Sequence, residues 1–378
     1  MTKARSNASS PNALGDLVVG TGTGTASVLP VGSDGQTLVA NSAATTGLQW
    51  QTPVQQNPVL NSAFQVWQRG TSVSIAAATS LAYSADRWVT TTGANQAITI
   101  SRQATSDTTN LPNIQYALRF QRNSGQTGTT VMNFGQPFET INSIPFAGKT
   151  VTLSFYARAG ANYSAASSAL GASVTTGTGT DQNWLTSYTG ATYPVGGTPT
   201  LTTTWQRFSY TGTIAATATE LTPYFYFTPV GTAGTNDYYE VTGVQLEVGS
   251  VATPFHTFST TLQGELQACQ RYYFRDVVVQ TNTAGFAVGY MDSATNFRFV
   301  LPMPVTMRGA PSLAFSAAAD LRAAAAASSY IASAYTLYGV TSNGVYAGIT
   351  ISGATAGQGG TLNASTTTAA YIELSAEL

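Results

Sequence analysis

Residues 151–156 read Val151-Thr152-Leu153-Ser154-Phe155-Tyr156, with large side chains alternating with hydroxylated ones over most of the run. Successive side chains of a strand point to opposite faces, so this period buries one face and wets the other. The same period recurs on both sides of the run. Ile98 and Ile100 alternate with Thr99 and Ser101, and Ile114, Tyr116, Leu118 and Phe120 with Gln115, Ala117, Arg119 and Gln121. Phe208 and Tyr210 alternate with Arg207 and Ser209, and Val244, Leu246 and Val248 with Gln245 and Glu247. Tyr224 to Phe227 is aromatic on both faces, as a central strand would be. About eight such runs between residues 57 and 258, punctuated by Gly, Asn and Pro and without a helical period, predict an antiparallel jelly-roll β-sandwich. Residues 160–200, rich in Gly, Ala, Ser and Thr, read as a long loop, and loops of this length are usually functional or disordered.

Outward from this module the chain stays β-prone, and the fold class expected is all-β. Residues 1–56 hold short apolar runs around Leu17, Val18, Val19, Val28 and Leu29, too little to bury a core, and read as an attachment segment that needs partner chains. Residues 259–270 form the one convincing helix, with Ser259 or Thr260 as its cap. Its stripe Leu262, Leu266 and Cys269, continued by Tyr273, is expected to pack at a seam around a threefold axis. Residues 271–378 read as a second, distal β-sandwich, with candidate strands at 272–280, 285–291, 296–301, 335–340, 344–352 and 369–375. Residues 317–328 fit a helix by propensity and a small-residue loop equally well.

Composition excludes several function classes. Of 378 residues, 15 are Lys or Arg and 16 Asp or Glu, so 8% are charged and the net charge is −1; an ordinary soluble domain carries about 25%. So few cations cannot neutralise many phosphates, which argues against nucleic acid and anionic lipid as partners. One cysteine and one histidine build neither a disulfide framework nor a Cys/His zinc site. No apolar run approaches the ~20 residues of a membrane helix, and residues 1–10 lack a signal-peptide core, so a soluble chain made in the cytoplasm and not inserted in a membrane is expected.

The stretch Asn57-Pro58-Val59-Leu60-Asn61-Ser62-Ala63-Phe64-Gln65-Val66-Trp67-Gln68-Arg69-Gly70, with Tyr83-Ser84-Ala85-Asp86-Arg87-Trp88 and the closing Gly243-Val244-Gln245-Leu246-Glu247-Val248-Gly249 and Thr253-Pro254-Phe255, resembles a jelly-roll module of bacteriophage fibre and appendage proteins, related in fold to carbohydrate-binding modules. Residues 269–274, 301–308 and 310–311 resemble the distal domain of such fibres, and residues 15–20 and 28–36 a fibre-base motif. The resemblance implies a virion structural protein, displayed on the particle exterior, trimeric, docked on other virion proteins through its N-terminus and contributing to attachment to a host-surface glycan. A capsid-decoration or head-fibre protein that does not bind host is the alternative, and a polysaccharide-degrading spike a third reading. One departure stands out: where such modules often continue with an acid after the Phe, this chain has His256.

Glycan contact would use rings that stack on a sugar's C–H face. Trp184, Tyr188 and Tyr193 are the first candidates, and the alternative is a loop folded back with these rings inside. The distal Tyr335 and Tyr338, with Tyr330 and Tyr346, are the second. Catalysis is not expected. Glycoside hydrolysis needs two facing carboxylates, and the local acids Asp237, Glu240 and Glu247 read as turn and sheet-rim groups. No cofactor is expected; should a structural Ca²⁺ be held, as in many jelly-roll sugar-binding modules, Asp237 and Glu240 would be its ligands.

Overall fold

The computed structural model describes residues 11–33, 36–51, 57–278, 285–325, 328–365 and 370–378. Two compact units divide the chain, Met1–Gln55 and Gln56–Leu378. The first consists of two hairpins, Leu17–Gly22 with Thr25–Leu29 and Thr37–Ala40 with Leu48–Gln51. In the first hairpin Leu17 pairs with Leu29 and Val18 with Val28. No described residue of this unit is buried.

Two antiparallel six-stranded sheets dominate the second unit. Edge to edge, one runs Gln206–Thr213, Thr150–Ala159, Tyr238–Val248, Tyr116–Arg122, Ile98–Ala104 and Ser72–Ile75. The other runs Thr192–Gly197, Gly171–Gly177, Glu220–Phe227, Met132–Gly135, Val89–Thr90 and Ala82–Tyr83. The alternating residues meet between the sheets as expected: Leu118, Phe120, Leu153, Phe155, Val244 and Leu246 share one core with Trp67 and Trp88. Trp88 stacks on Phe134 at 5.0 Å, and Phe155 meets Phe225 edge-on at 4.9 Å. The jelly-roll form predicted from the period is therefore present.

Residues 160–200 correct the expectation of a long loop. They contribute two strands, Gly171–Gly177 and Thr192–Gly197. The first, Gly-Ala-Ser-Val-Thr-Thr-Gly, is buried along its whole length. Its small side chains carry little local strand signal, and its place is set by its neighbour: a Cβ on Gly171 would lie 2.2 Å from the Tyr226 ring, so only glycine lets that ring lie across the strand.

The residues carrying the fibre resemblance are structural. Asn61 donates to the carbonyls of Val66 and Asp86 and accepts from Val66 N–H, while its own N–H donates to Glu265. Asn57 Nδ2 donates to Val244 and His256 carbonyls. Gln245 accepts from His256 N–H, and Glu247 accepts from the N–H and hydroxyl of Thr253. These side chains close the turns around the sandwich, supplying the buried backbone with partners it would otherwise lack.

The distal part, from Tyr273, has its own core. A three-stranded sheet, Tyr273–Val278, Ala370–Ser375 and Ser312–Phe315, packs with a seven-stranded one ordered Ser328–Ile331, Leu321–Ala325, Gly359–Ala364, Gly285–Ser293, Asn296–Pro302, Gly344–Thr350 and Ala334–Thr341. The two end strands of the larger sheet are separated by only Ala332 and Ser333, which donate to the Leu321 and Thr350 carbonyls. One continuous stretch thus pairs at one end of the sheet and then at the other. Within residues 317–328 the helix reading holds only for the single 3-10 turn Ala318–Asp320; Leu321–Ala325 is a strand with Leu321, Ala323 and Ala325 buried. The helix propensity of alanine yields to long-range pairing with Gly359–Ala364. Residues 279, 280 and 369 of the expected strands lie outside the described residues.

The helix spans Leu262–Gln270, and its cap is Thr261, whose hydroxyl accepts from Gly264 N–H. Its stripe corrects the expectation of a threefold seam. Cys269 is fully buried against Leu60, Val66 and Tyr272 of the same chain, and Leu266 packs there too. Tyr273 is buried, with its hydroxyl donating to Glu373 and its ring under Arg69. Only Leu262 is outside, at 59% exposure. The stripe is the intrachain joint between jelly roll and distal sheets.

Scarce charges concentrate at this joint. Glu377 pairs with Arg87 and Arg69, Arg271 with Glu139, and Arg308 with Asp181. Asp86 accepts from the backbone N–H and side-chain amide of Gln68. Burial pushes its carboxyl up to about 6. The unfolded value is about 3.9, so the folded state favours the protonated form. That contribution is complete below about pH 4 and is lost as pH rises through about 6. Asp86→Asn should therefore gain on the wild type between pH 4.5 and 7 in urea unfolding; a difference flat across that range contradicts this.

Candidate functional site

The outer face of the sheet containing Glu220–Phe227 carries an aromatic groove. Strand alternation sends Leu221, Phe225 and Phe227 into the core and leaves Thr222, Tyr224 and Tyr226 for the outer face. Tyr224 and Tyr226 stack at 5.6 Å. Glycine makes room on both flanks. The Tyr226 ring crosses Gly171, and a Cβ on Gly135 would lie 2.9 Å from Cζ2 of Trp184.

Residues 178–191 fold over one end of this face. Glu220 accepts from Gly179 and Gln182 N–H, and Gln182 bonds both the backbone and hydroxyl of Thr189. Asn183 caps the short helical turn Trp184–Thr186. Trp184 thereby lies on Tyr224 at 5.0 Å, and the Tyr188 hydroxyl pairs with that of Thr222 at 2.6 Å. Both rings are buried, which is the folded-back alternative for two of the three candidates.

Tyr193 differs, being 64% exposed. Val174 pairs with Val195 and Thr176 with Thr192, so Tyr193 and Pro194 oppose the single residue Thr175. This bulge re-aims the side chain off the sheet edge. A pocket of about 200 Å³ results, lined by Tyr193, Tyr224, Trp184 and Tyr188 with the polar groups of Asn133, Thr175 and Ser187. The indole N–H of Trp184 is buried and has no partner among the described residues. A second pocket of about 180 Å³ adjoins Tyr226, between Ala165, Ala169, Thr198 and Thr228. Burial pushes the Tyr224 hydroxyl up to about 12, so it remains a neutral donor. Stacking rings, neutral hydroxyls and amides, and no fixed charge form a surface suited to an uncharged polyhydroxylated ligand. The sequence reading missed Tyr224 and Tyr226 as site residues, because a run aromatic on both faces does not show which face is outward.

The distal candidates do not form one site. Tyr335 pairs with Ile349, and its ring packs on Phe315 at 4.4 Å. Tyr338 lies on the opposite face, against Tyr346 at 5.3 Å.

The carboxylates are all otherwise engaged, which corrects the calcium reading. Asp237 accepts from Arg122 at 2.8 Å and from Ser164 N–H, with both ion-pair side chains fully buried. Glu240 accepts from Arg119 and Arg158, one on each oxygen. A hard cation would have to displace or repel these guanidinium groups. No group of three or more His, Cys, Asp or Glu with metal-binding placement occurs among the described residues. Glu247 is spent on Gln245 and Thr253, so these acids do not face one another across a cleft. At the intrachain joint a cleft of about 570 Å³ is lined by Leu60, Phe138, Phe258, Arg87 and Tyr272. Its Arg87 and Tyr272 already bond Glu377 and Glu139.

No family model matches the chain, and no curated protein matches it in sequence. Similar solved structures include the CBM22-2 xylan-binding domain of Paenibacillus barcinonensis Xyn10C, at 13% identity and TM-score 0.26, covering 40% of this chain and 88% of that one. TmCBM61 in complex with beta-1,4-galactotriose matches at 11% identity and TM-score 0.30, covering 52% and 100%. A Stig cyclase from Fischerella matches at 8% identity and TM-score 0.30, covering 51% and 98%. At such identities and TM-scores these likenesses carry no argument about function.

Proposed function

We propose that this chain is a non-catalytic structural protein of a bacteriophage appendage, displayed on the virion, that holds a host-surface glycan in the groove across the jelly roll. The observation that carries the glycan reading is the Tyr193 bulge beside Tyr224 and Tyr226: an exposed ring next to a floor of stacked rings, with uncharged donors around it. The fibre reading is supported by the sequence resemblance at residues 57–70, 83–88 and 243–255. It is also supported by the first unit, whose half-buried hairpins leave no described residue in a core of its own and so call for partner chains. Three copies would raise avidity without tight single sites.

The test of the groove is tryptophan emission during titration with soluble neutral β-glucan, xylan and galactan. At least one should shift the emission through Trp184, and Tyr193→Ala should weaken that binding about tenfold, the worth of one good stacking contact. No response to any of them removes the glycan reading. A solution mass near three chains supports the trimer and a clean monomer rejects it; gold-labelled protein seen away from virions rejects the appendage role.

A further inference from the structure

The distal sheet carries an outward-facing cluster that the groove does not involve. On the face opposite the distal core, Tyr290 pairs across strands with Arg298, and Val300 with Tyr346. Arg298 is the hub. Its Nη1 donates to the Tyr346 hydroxyl at 2.9 Å, its Nη2 pairs with Asp292 at 2.8 Å, and its Cζ lies 4.6 Å from the Tyr338 ring centre. Tyr338 donates to Asn296 Oδ1, and Asn296 Nδ2 donates to Asp292. A Cβ on Gly348 would lie 2.9 Å from Cε2 of Tyr338, so the missing side chain is what lets that ring lie down on the sheet.

Fixed in this way, the rings are nevertheless open to solvent: Tyr290 is 44% and Tyr338 40% exposed. Here the charged and polar groups of the cluster hold one another, and each tyrosine keeps a large part of its surface in solvent. Arg298 and Asp292 cancel in charge, so neither an anionic nor a cationic ligand is favoured. Partly exposed rings rimmed by a carboxylate, an amide and a guanidinium match a neutral pyranose: C–H face on the rings, hydroxyls to the rim.

We propose that Tyr338, held by Arg298 and Asn296, and Tyr290, the cross-strand neighbour of Arg298, form a second saccharide-binding platform for neutral polysaccharide, separate from the jelly-roll groove. Its value to the chain would be bivalency, since two weak sites on one chain that reach the same polymer add avidity.

The platform can be read separately because residues 271–378 contain no tryptophan, so tryptophan emission reports on the groove and not on this face. The experiment is electrophoresis of the full chain through native gels containing soluble neutral β-glucan, xylan or galactan, in the wild-type and Tyr193→Ala backgrounds. The double variant Tyr290→Ala/Tyr338→Ala is expected to lose at least about tenfold in retardation affinity in at least one gel, in both backgrounds, because two stacking contacts go. Tyr290→Phe/Tyr338→Phe should retain most of it, because the ring faces remain. Groove emission and solution mass should not change. Three results would overturn the platform: no retardation of the wild type in any gel, full retardation of the alanine double variant, or a fall in solution mass in that variant, which would make the face a contact between copies. Loss of the emission response with retention of the Tyr-dependent retardation would sink the groove and leave the platform standing.

Discussion

Arg122→Ala is expected to destabilise the protein by about 3–5 kcal/mol, because it removes one partner of a fully buried ion pair and leaves a carboxylate stranded. Arg122 and Asp237 are both completely shielded from solvent, 2.8 Å apart. The guanidinium does more than neutralise. It also donates to the Ser164 hydroxyl and to the carbonyls of Gln126, Gly128 and Gly231, so one side chain fastens three separate turns to the end of the sandwich. Lysine has no planar fork and cannot reach these acceptors together, so Arg122→Lys should recover less than half of the loss. Removing both charges, as in Arg122→Met/Asp237→Leu, leaves no stranded ion and should cost clearly less than Arg122→Ala alone. Urea unfolding followed by tryptophan emission measures all three, and a loss under about 1 kcal/mol for Arg122→Ala would show that the pair is not holding the turns.

Glu377→Ala should have an effect of similar size by a different route. Arg87 is buried in the intrachain joint, with its ring partner Tyr272 at 3.5 Å, and Glu377 is its anion. Arg69 shares the same carboxylate at 3.3 Å. Without Glu377 the Arg87 cation remains buried and uncompensated, at a cost of about 3–5 kcal/mol. The strand Ala370–Ser375 delivers Glu377 to this place, and Arg308 holds the carbonyls of Ala376 and Glu377 there. The loss should therefore fall on the docking of the distal sheets against the jelly roll more than on either core. The expected signature is a single unfolding transition splitting into two, with faster proteolysis near the helix Leu262–Gln270. One unsplit transition at the wild-type midpoint would mean that the apolar joint of Leu60, Val66, Cys269 and Tyr272 is sufficient alone.

Stability in this chain thus leans on charges used sparingly and inside. The surface is kept wet by hydroxyls and amides, while arginines sit over tyrosine rings or in buried pairs, as Arg69 does over Tyr273 and Arg275 over Tyr371. A neutral exterior leaves aromatic rings as the natural means of contact, which is the common ground of the groove and the distal platform.

The all-β sandwich could be read before any coordinates because alternation is a local signal. Each of Val151, Leu153 and Phe155 declares its face through its immediate neighbours, and a shift of one residue would expose them all. The small charge count, too, removed nucleic acid from the candidate partners without reference to shape. Pairing between distant segments is another matter. Gly171–Gly177 is a strand because Tyr224 and Tyr226 need small residues beside them, and Leu321–Ala325 is one because Gly359–Ala364 offers it an edge. Tyr193 is exposed through a bulge that no pattern at 192–197 announces, and Arg122 finds Asp237 across 115 residues. Faces follow from neighbours along the chain; partners, bulges and buried charge pairs follow from which strands close up against which, and that is settled only when the whole core packs.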